Sequence, residues 1–378
     1  MQATDTHTDF EPALESIIET IVAPCAIEID RSAAFPRAAM DALAAAGLLG
    51  LISAPEVGGL GLGPRAAAAV VEGLAQHCAS TAMVVCMHYA ATAVIEAHGS
   101  TASREAAASG RAIATLAFSE AGSRSHFWAP VSTATRDGDS VRLDGQKSWV
   151  TSAGEADVYV WSSRPARAEG ASTLWLVPAD AAGLRVPAQF DGLGLRGNCS
   201  SPILADGAAI PASSMLGPDG GGFDVMMGVV LPYFQLMSAG FSVGTMEAAT
   251  IKAATHASGA RLEHLEQSLA DLPTVRAYVA RMRIKTDMAR ALLLDAVAAA
   301  ESGREDAMLR ILESKAAAGE ASTEVTDLAM RVCGGAGFRK EAGVERHFRD
   351  ARAATVMAPM TDVLYDFIGR AVCGLPLF

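Results

Sequence analysis

The spacing of apolar residues divides the chain into three stretches. From about 10 to 110 they recur at helical intervals, as in the run Met40–Leu48, and predict a helical domain. From 113 to about 211 the period changes to two, with turn residues such as Asp137–Asp139 between the segments, and predicts strands. Helical spacing returns from about 222 to the C-terminus.

We therefore predict an α+β chain with an N-terminal helical domain, a small, mostly antiparallel β domain and a C-terminal four-helix bundle. The predicted domain bounds are 1–112, 113–220 and 221–378. The predicted strands are 113–118, 131–136, 141–150, 158–162 and 173–177, and the predicted C-terminal helices are 223–257, 272–302, 304–333 and 351–373.

Composition and charge narrow the class of protein. Apolar residues form 51% of the chain and charged residues 19%, so we expect a globular protein that forms oligomers. The net charge of −12 has the wrong sign for nucleic-acid binding. The longest apolar run, Thr81–Ile95, contains His88 and is too short for a membrane span.

The N-terminal charges, the cysteines and the histidines bear on the cellular compartment and on metal binding. The N-terminus carries acidic residues and no basic stretch, so we expect no signal peptide. The six cysteines form no CxxC pair and predict reduced core thiols in a cytoplasmic protein. The eight histidines show no metal-ligand spacing, so no metal site is predicted.

A dinucleotide loop is not predicted, and the role of one basic stripe stays open. Gly59–Gly63 lacks the preceding strand and the spacing of such a loop. The basic residues of 276–290 fit a solvated or subunit-facing stripe, or a site for a phosphorylated ligand.

Two other segments carry candidate chemistry. Leu116–Ser125 and Gly145–Ser152 resemble a strand-edge platform with backbone amides, small hydroxyls and an indole for a flat aromatic ring, although a hairpin with a buried Trp fits the pattern too. Arg331–Phe338, followed by Gly343–Arg352, has glycines that allow close approach of a ligand or another backbone, or form a plain helix end.

At these residues, and at Pro55–Gly61 in the first domain, the chain resembles the acyl-CoA dehydrogenase superfamily over nearly its whole length. The resemblance implies FAD at the junction of the three domains and usually a tetramer. It also implies an acyl-CoA thioester as substrate, with an electron-transfer flavoprotein or O2 as electron acceptor.

The resemblance assigns cofactor roles to single positions. Phe118 and Ser119 border the flavin pyrimidine, Trp149 packs on the isoalloxazine, Thr151 reaches the N5 region, and Ser125 lies between the cofactor and the pantetheine arm. The remaining expected cofactor residues are Arg261 at the pyrophosphate, Thr361, and Arg331, Gly334 and Gly335 at the ADP half of a neighbouring subunit's FAD.

The catalytic base departs from the family pattern. Dehydrogenases of this family remove the α-proton of the thioester with a glutamate, at one of two known positions. Here those positions fall on Ala358 and on or beside Phe234, and neither side chain accepts a proton.

Three hypotheses follow from the missing glutamate. The first is an O2-using, monooxygenase- or oxidase-like enzyme that needs no carboxylate base. The second is a dehydrogenase with a substitute base: Asp362, one predicted helical turn beyond Ala358, or His126 or Tyr233. The third is a catalytically silent subunit that binds FAD or acyl-CoA.

Overall fold

The computed structural model describes residues 10–123 and 126–377. Helices make up the first domain, as the apolar spacing predicts. Pro64 begins one of them, at a position where its missing N–H costs no hydrogen bond. The helices are α1 (Glu11–Ile17), α2 (Ala23–Ser32), α3 (Arg37–Ala45), α4 (Pro64–His77), α5 (Ala79–His98) and α6 (Thr101–Ala108), with a π-helical turn, Ile18–Val22, between α1 and α2.

Two four-stranded sheets make up the second domain, in the orders β1-β4-β5-β8 and β2-β3-β7-β6. The strands are β1 (Ala114–Ala117), β2 (Thr133–Asp137), β3 (Ser140–Val150), β4 (Val158–Ser163), β5 (Thr173–Pro178), β6 (Leu184–Arg185), β7 (Ser201–Pro211) and β8 (Met215–Leu216). All pairs are antiparallel except β1 with β4. The long β7 is missing from the predicted strands, because its Ala and Gly residues weaken the alternating pattern.

The third domain is helical, with a small hairpin between its first two long helices. It contains α7 (Gly222–Val225), α8 (Leu231–Gly259), β9 (Arg261–Leu262), β10 (Gln267–Ser268), α9 (Pro273–Ser302), α10 (Ala307–Cys333), α11 (Val344–Ala351), α12 (Ala353–Val356) and α13 (Thr361–Val372). A π-helical turn, Met226–Val230, joins α7 to α8.

The single helix predicted over 351–373 is wrong. The chain leaves the helical conformation at Met357, whose ψ is 134°, and α13 begins only at Thr361. Pro359 explains the break, because proline lacks a backbone N–H and disfavours helical geometry in the preceding residue.

Helix α8 crosses the centre of the molecule and packs against α4, α5, α9 and α10. Gly240 permits the close approach of α4, since a Cβ at this position would lie 2.7 Å from the Ala68 carbonyl oxygen. By length and composition, Ala79–His98 and Gly222–Gly259 resemble membrane-crossing helices, but 89% and 72% of their apolar windows are buried within the fold. Both helices therefore serve as core helices here.

The cysteines and the basic stripe of α9 test two expectations from the sequence. All six cysteines are free, but Cys25 and Cys373 are exposed, so they are not core thiols. Each member of the basic stripe of α9 bonds to protein groups: Arg283 and Arg290 bind Glu247, Arg281 and Lys285 bind Glu324, and Arg276 donates to backbone carbonyls. These ion pairs favour the structural interpretation of the stripe.

A buried ion pair joins the segment after β1 to β3. Lys147 Nζ lies 2.5 Å from Glu120 Oε1 and also donates to the backbone carbonyl and hydroxyl of Ser162. Burial alone would raise the pKa of Glu120, but the charge and hydrogen bond of Lys147 lower it overall. Burial lowers the pKa of Lys147 to about 8 against the attraction of Glu120.

We predict that Glu120→Gln lowers the free energy of unfolding by about 3–5 kcal/mol, because it leaves a buried ammonium without its counter-charge. The matched control, Glu28→Gln, removes an exposed partner of Arg31 and should leave the free energy of unfolding almost unchanged, because solvent screens this pair. Urea unfolding followed by circular dichroism measures both. Equal losses in the two variants would contradict the assigned role of the buried pair.

Candidate functional site

A cleft of about 640 Å³ lies where the β domain meets helices of the first and third domains. Phe118 and Ser119 contribute to its lining from the segment after β1, and Trp149 and Thr151 from the end of β3. The amide of Ser148 donates to the carbonyl of Ser119 at 2.8 Å. The two sequence motifs of the predicted platform therefore meet on one surface.

Trp149 presents its indole to solvent on this surface. Its side chain is 62% exposed, so the alternative of a hairpin with a buried Trp is wrong. The backbone has a φ of +55°, and the ring centroid lies 4.3 Å from that of Phe190. The exposed indole offers a flat apolar face on which an aromatic ring system can stack.

Backbone strain is concentrated around the cleft. Besides Trp149, the lining residues Leu195 and Cys199 have φ values of +52° and +50°. Ser152, with a φ of +59°, bonds through its amide to the carbonyl of Asn198 in the same lining. A non-glycine residue with such a positive φ raises the free energy of the folded state, and residues of this kind cluster at ligand sites.

Phe234 and Ala358, to which the resemblance assigns the two family base positions, line the same cleft. Phe234 lines it from the first turn of α8, and Ala358 lines it from the break between α12 and α13. Val230, Leu231 and Met357 extend this wall with apolar side chains. The wall that would meet the acyl group of a thioester therefore carries no acid at either position.

Among the described residues of the lining, the titratable groups are Glu120, Arg196 and Cys199. Glu120 is held by Lys147, by the hydroxyl and amide of Ser132 and by the amide of Val131. Burial raises the pKa of the Cys199 thiol to about 11, so this thiol is neutral near pH 7. Arg196 binds the carbonyl of Asp30 and the carboxylate of Asp191. Within this part of the chain, the lining holds no carboxylate without a partner.

The three candidate substitute bases do not line the cleft. The proposed helical alignment of Asp362 with Ala358 is wrong, because α13 begins after Ala358 and leaves Asp362 exposed in its first turn. His126 is exposed beside Trp128. Tyr233 is half-buried, and burial raises its pKa.

Other expected cofactor residues lie outside the cleft lining. Arg261 is exposed in the β9–β10 hairpin, and Arg331 is exposed over the ring of Tyr278 at 4.7 Å. Gly334 and Gly335 are exposed just beyond α10. Such positions suit contact with a second molecule, as the resemblance implies. Ser125 lies outside the described residues.

Sequence reasoning missed one side of the cleft. It is formed by the loop between β6 and β7, whose lining residues are Gln189, Phe190, Gly192, Gly194, Leu195, Arg196, Asn198, Cys199 and Ser200. The glycines of 192–197 were the available signal for a strained loop. Its positive φ values fall on Leu195 and Cys199, which no residue preference would indicate.

The residues of this cleft fit FAD. The exposed indole and the backbone of Phe118–Ser119 suit a planar ring with a polar edge. Next to the lining residue Met360, the hydroxyl of Thr361 at the start of α13 is buried and has no hydrogen-bond partner among the described residues. A polar ligand would satisfy this hydroxyl, which otherwise costs free energy. Within residues 10–123 and 126–377, His, Cys, Asp and Glu form no cluster suited to a metal ion.

Three models of one family match the chain in order: the acyl-CoA dehydrogenase N-terminal domain over 4–110, the middle domain over 115–207 and the C-terminal domain over 220–373. The chain belongs to the acyl-CoA dehydrogenase family. The three-domain fold is confirmed. Enzymes of this family are FAD-dependent oxidoreductases, and so is this member.

Individual proteins agree with the family assignment. The chain is 29% identical to the human mitochondrial short-chain specific acyl-CoA dehydrogenase over 95% of its own length and 88% of the relative. It is 29% identical to the cyclohex-1-ene-1-carbonyl-CoA dehydrogenase of Geobacter metallireducens over 93% of each. The structure of butyryl-CoA dehydrogenase from Megasphaera elsdenii superposes with a TM-score of 0.91, at 22% identity and 99% coverage of both chains.

We predict that Trp149→Ala weakens FAD binding to this acyl-CoA dehydrogenase family member about tenfold or more, because the stacking surface is lost. Titration of the apoprotein with FAD, followed by quenching of flavin fluorescence, measures the dissociation constant. Ile27→Ala, at an exposed apolar position on α2, should leave it unchanged. A wild-type constant in Trp149→Ala would place the isoalloxazine elsewhere.

Proposed function

We propose that the protein is an FAD-dependent oxidoreductase that acts on an acyl-CoA thioester with O2, without base-assisted formation of an α,β double bond. One observation carries this proposal: the cleft lined by the predicted flavin platform is also lined by Phe234 and Ala358, the residues to which the resemblance assigns the two base positions. The family assignment supports the cofactor and the class of substrate.

The proton chemistry explains why those two residues decide between reactions. The α-proton of a thioester is weakly acidic, and a positioned base contributes about 10²–10⁴-fold to its removal. Neither a phenyl ring nor a methyl group accepts a proton. Glu120 already accepts hydrogen bonds from Lys147, Ser132 and Val131, so it is held away from this task.

The side chains of the cleft can bind and orient the cofactor and the acyl chain, and they can exclude water. Phe118, Ser119, Trp149 and Thr151 would hold FAD. When bound, FAD supplies two-electron redox chemistry and, in its reduced form, reactivity towards O2. Leu231, Phe234 and Met357 form an apolar surface for the acyl chain, which limits the access of water to the reacting atoms.

The electron acceptor separates this function from its alternatives. In a monooxygenation, one atom of O2 enters the product and the other leaves as water; the two electrons and two protons come from an external reductant such as a reduced nicotinamide, because the acyl-CoA does not supply them. A dehydrogenase would instead pass electrons to an electron-transfer flavoprotein. A silent subunit would bind FAD or acyl-CoA without turnover.

Two parallel reactions test the proposal. The holoprotein is mixed anaerobically with a panel of acyl-CoAs while flavin absorbance is followed, and the photoreduced holoprotein is given ¹⁸O₂ with each acyl-CoA. We expect little anaerobic bleaching and one ¹⁸O atom in a product. Stoichiometric bleaching with enoyl-CoA formation would contradict the proposal, because it shows that an α,β double bond is formed. No reaction in either arm would favour the silent subunit.

We also propose a homodimer or homotetramer. Ile251 on α8 and Ile284 and Met288 on α9 expose more than half of their side chains, and an apolar groove lies between these helices. Burial of these side chains against a second copy would remove apolar surface from water. Light scattering of the purified protein should therefore give a mass at least twice 39.0 kDa, whereas a monomeric mass would refute the assembly.

We predict that Ala358→Glu accelerates anaerobic flavin reduction by acyl-CoA about 10²-fold, because it introduces a proton acceptor into the cleft wall. Stopped-flow absorbance measures the rate. Ala358→Gln is the matched control, since it has similar size but no base, and should react like the wild type. Equal rates in all three proteins would show that a base at this position is irrelevant to the reaction.

A further inference from the structure

The break between α12 and α13 leaves the partly buried carbonyl of Met357 and the buried carbonyl of Pro359 without helical partners. The segment Met357–Met360 is extended at both ends, with ψ values of 134° and 158°. All four of its residues line the cleft. Buried carbonyls of such a segment require donors from elsewhere in the fold.

Lys315 supplies those donors from α10. Its Nζ donates to the carbonyl of Pro359 at 2.7 Å and to that of Met357 at 3.1 Å. The side chain is fully buried, and no carboxylate of residues 10–123 and 126–377 forms an ion pair with it. Lys315 therefore donates hydrogen bonds to the backbone on both sides of Ala358.

The chemistry of the amine suits this task in either protonation state. Burial lowers the pKa of Lys315 to about 7, and the buried thiol of Cys86 on α5 is its titratable neighbour. An ammonium has three N–H donors, and the neutral amine keeps two. Two donors are sufficient for the two carbonyls.

We infer that Lys315 is a positioning residue for the acyl ligand: by holding the carbonyls of Met357 and Pro359, it determines where the Ala358 wall stands in the cleft. This inference rests on the proposed acyl-thioester function. Lys315 does not itself line the cleft, so it acts through the backbone and is not a catalytic residue.

The test compares Lys315→Met, which is one side-chain atom shorter and loses the donors, with Lys315→Gln, which has as many atoms along its side chain as Met but keeps two N–H donors. Lys285→Met is the control, since Lys285 pairs with Glu324 on the outer face of the bundle. Each holoprotein is titrated with butyryl-CoA through the flavin spectrum. FAD content and the hydrogen exchange of the Met357 and Leu364 amides, which bond to Ala353 and Met360, are measured in parallel.

We expect Lys315→Met to raise the butyryl-CoA dissociation constant about tenfold and to accelerate exchange at both amides. Its FAD content should match the wild type, and Lys315→Gln should lie between them. Wild-type binding and exchange in Lys315→Met would overturn the inference. Equal losses of FAD binding, butyryl-CoA binding and the free energy of unfolding in Lys315→Met and Lys315→Gln would also overturn the inference, because they would indicate a general packing role.

Two further outcomes are also decisive. If Lys315→Met does not fold, Lys315→Gln alone decides, and wild-type binding and exchange in that variant would overturn the inference. If the wild type binds no acyl-CoA, the proposed function fails, while the exchange of the two amides still reports whether Lys315 holds the segment. No arm of the experiment depends on O2 or on turnover.

Discussion

The buried ion pair between Glu120 and Lys147 is the constraint on which the flavin platform depends. It joins the segment after β1 to β3 at the point where Phe118, Ser119 and Trp149 reach the cleft. Two buried charges are tolerated only when each is paired and hydrogen-bonded. Ser132, directly before β2, hydrogen-bonds to Glu120, and Ser162 in β4 hydrogen-bonds to Lys147. These bonds link β2 and β4 to the ion pair. The pair also occupies Glu120, the carboxylate in the described lining of the cleft.

The opposite wall follows from a different constraint. Pro359 ends the helical path after α12, so the chain passes the cleft as an extended segment that places Ala358 in its lining. That segment depends on Lys315 for its carbonyl partners, and α8 contributes Phe234 beside it. The site therefore combines a rigid polar platform with an apolar, acid-free wall, a combination that suits flavin chemistry independent of a protein base.

Much of this was accessible from the sequence, and the remainder has physical reasons. Periodicity located the long helices and most strands because burial imposes it, whereas β7 escaped because its small residues carry little pattern. Motif resemblance singled out Trp149, Phe234 and Ala358, and the structure brings all three to the lining of one cleft. The helical alignment of Asp362 failed because one proline outweighed the surrounding propensity. The strained loop at Leu195 and Cys199 was inaccessible, because tertiary packing and not residue preference holds its conformation.

Exchange of the α-protons of a bound acyl-CoA tests the central claim most directly, because it reports a proton acceptor whatever the fate of the electrons. The holoprotein is incubated with butyryl-CoA in D2O, and deuterium at C2 is followed by mass spectrometry. If the cleft holds no base, exchange should proceed at the rate of buffer alone. Enzyme-dependent deuterium incorporation well above that rate would contradict the account.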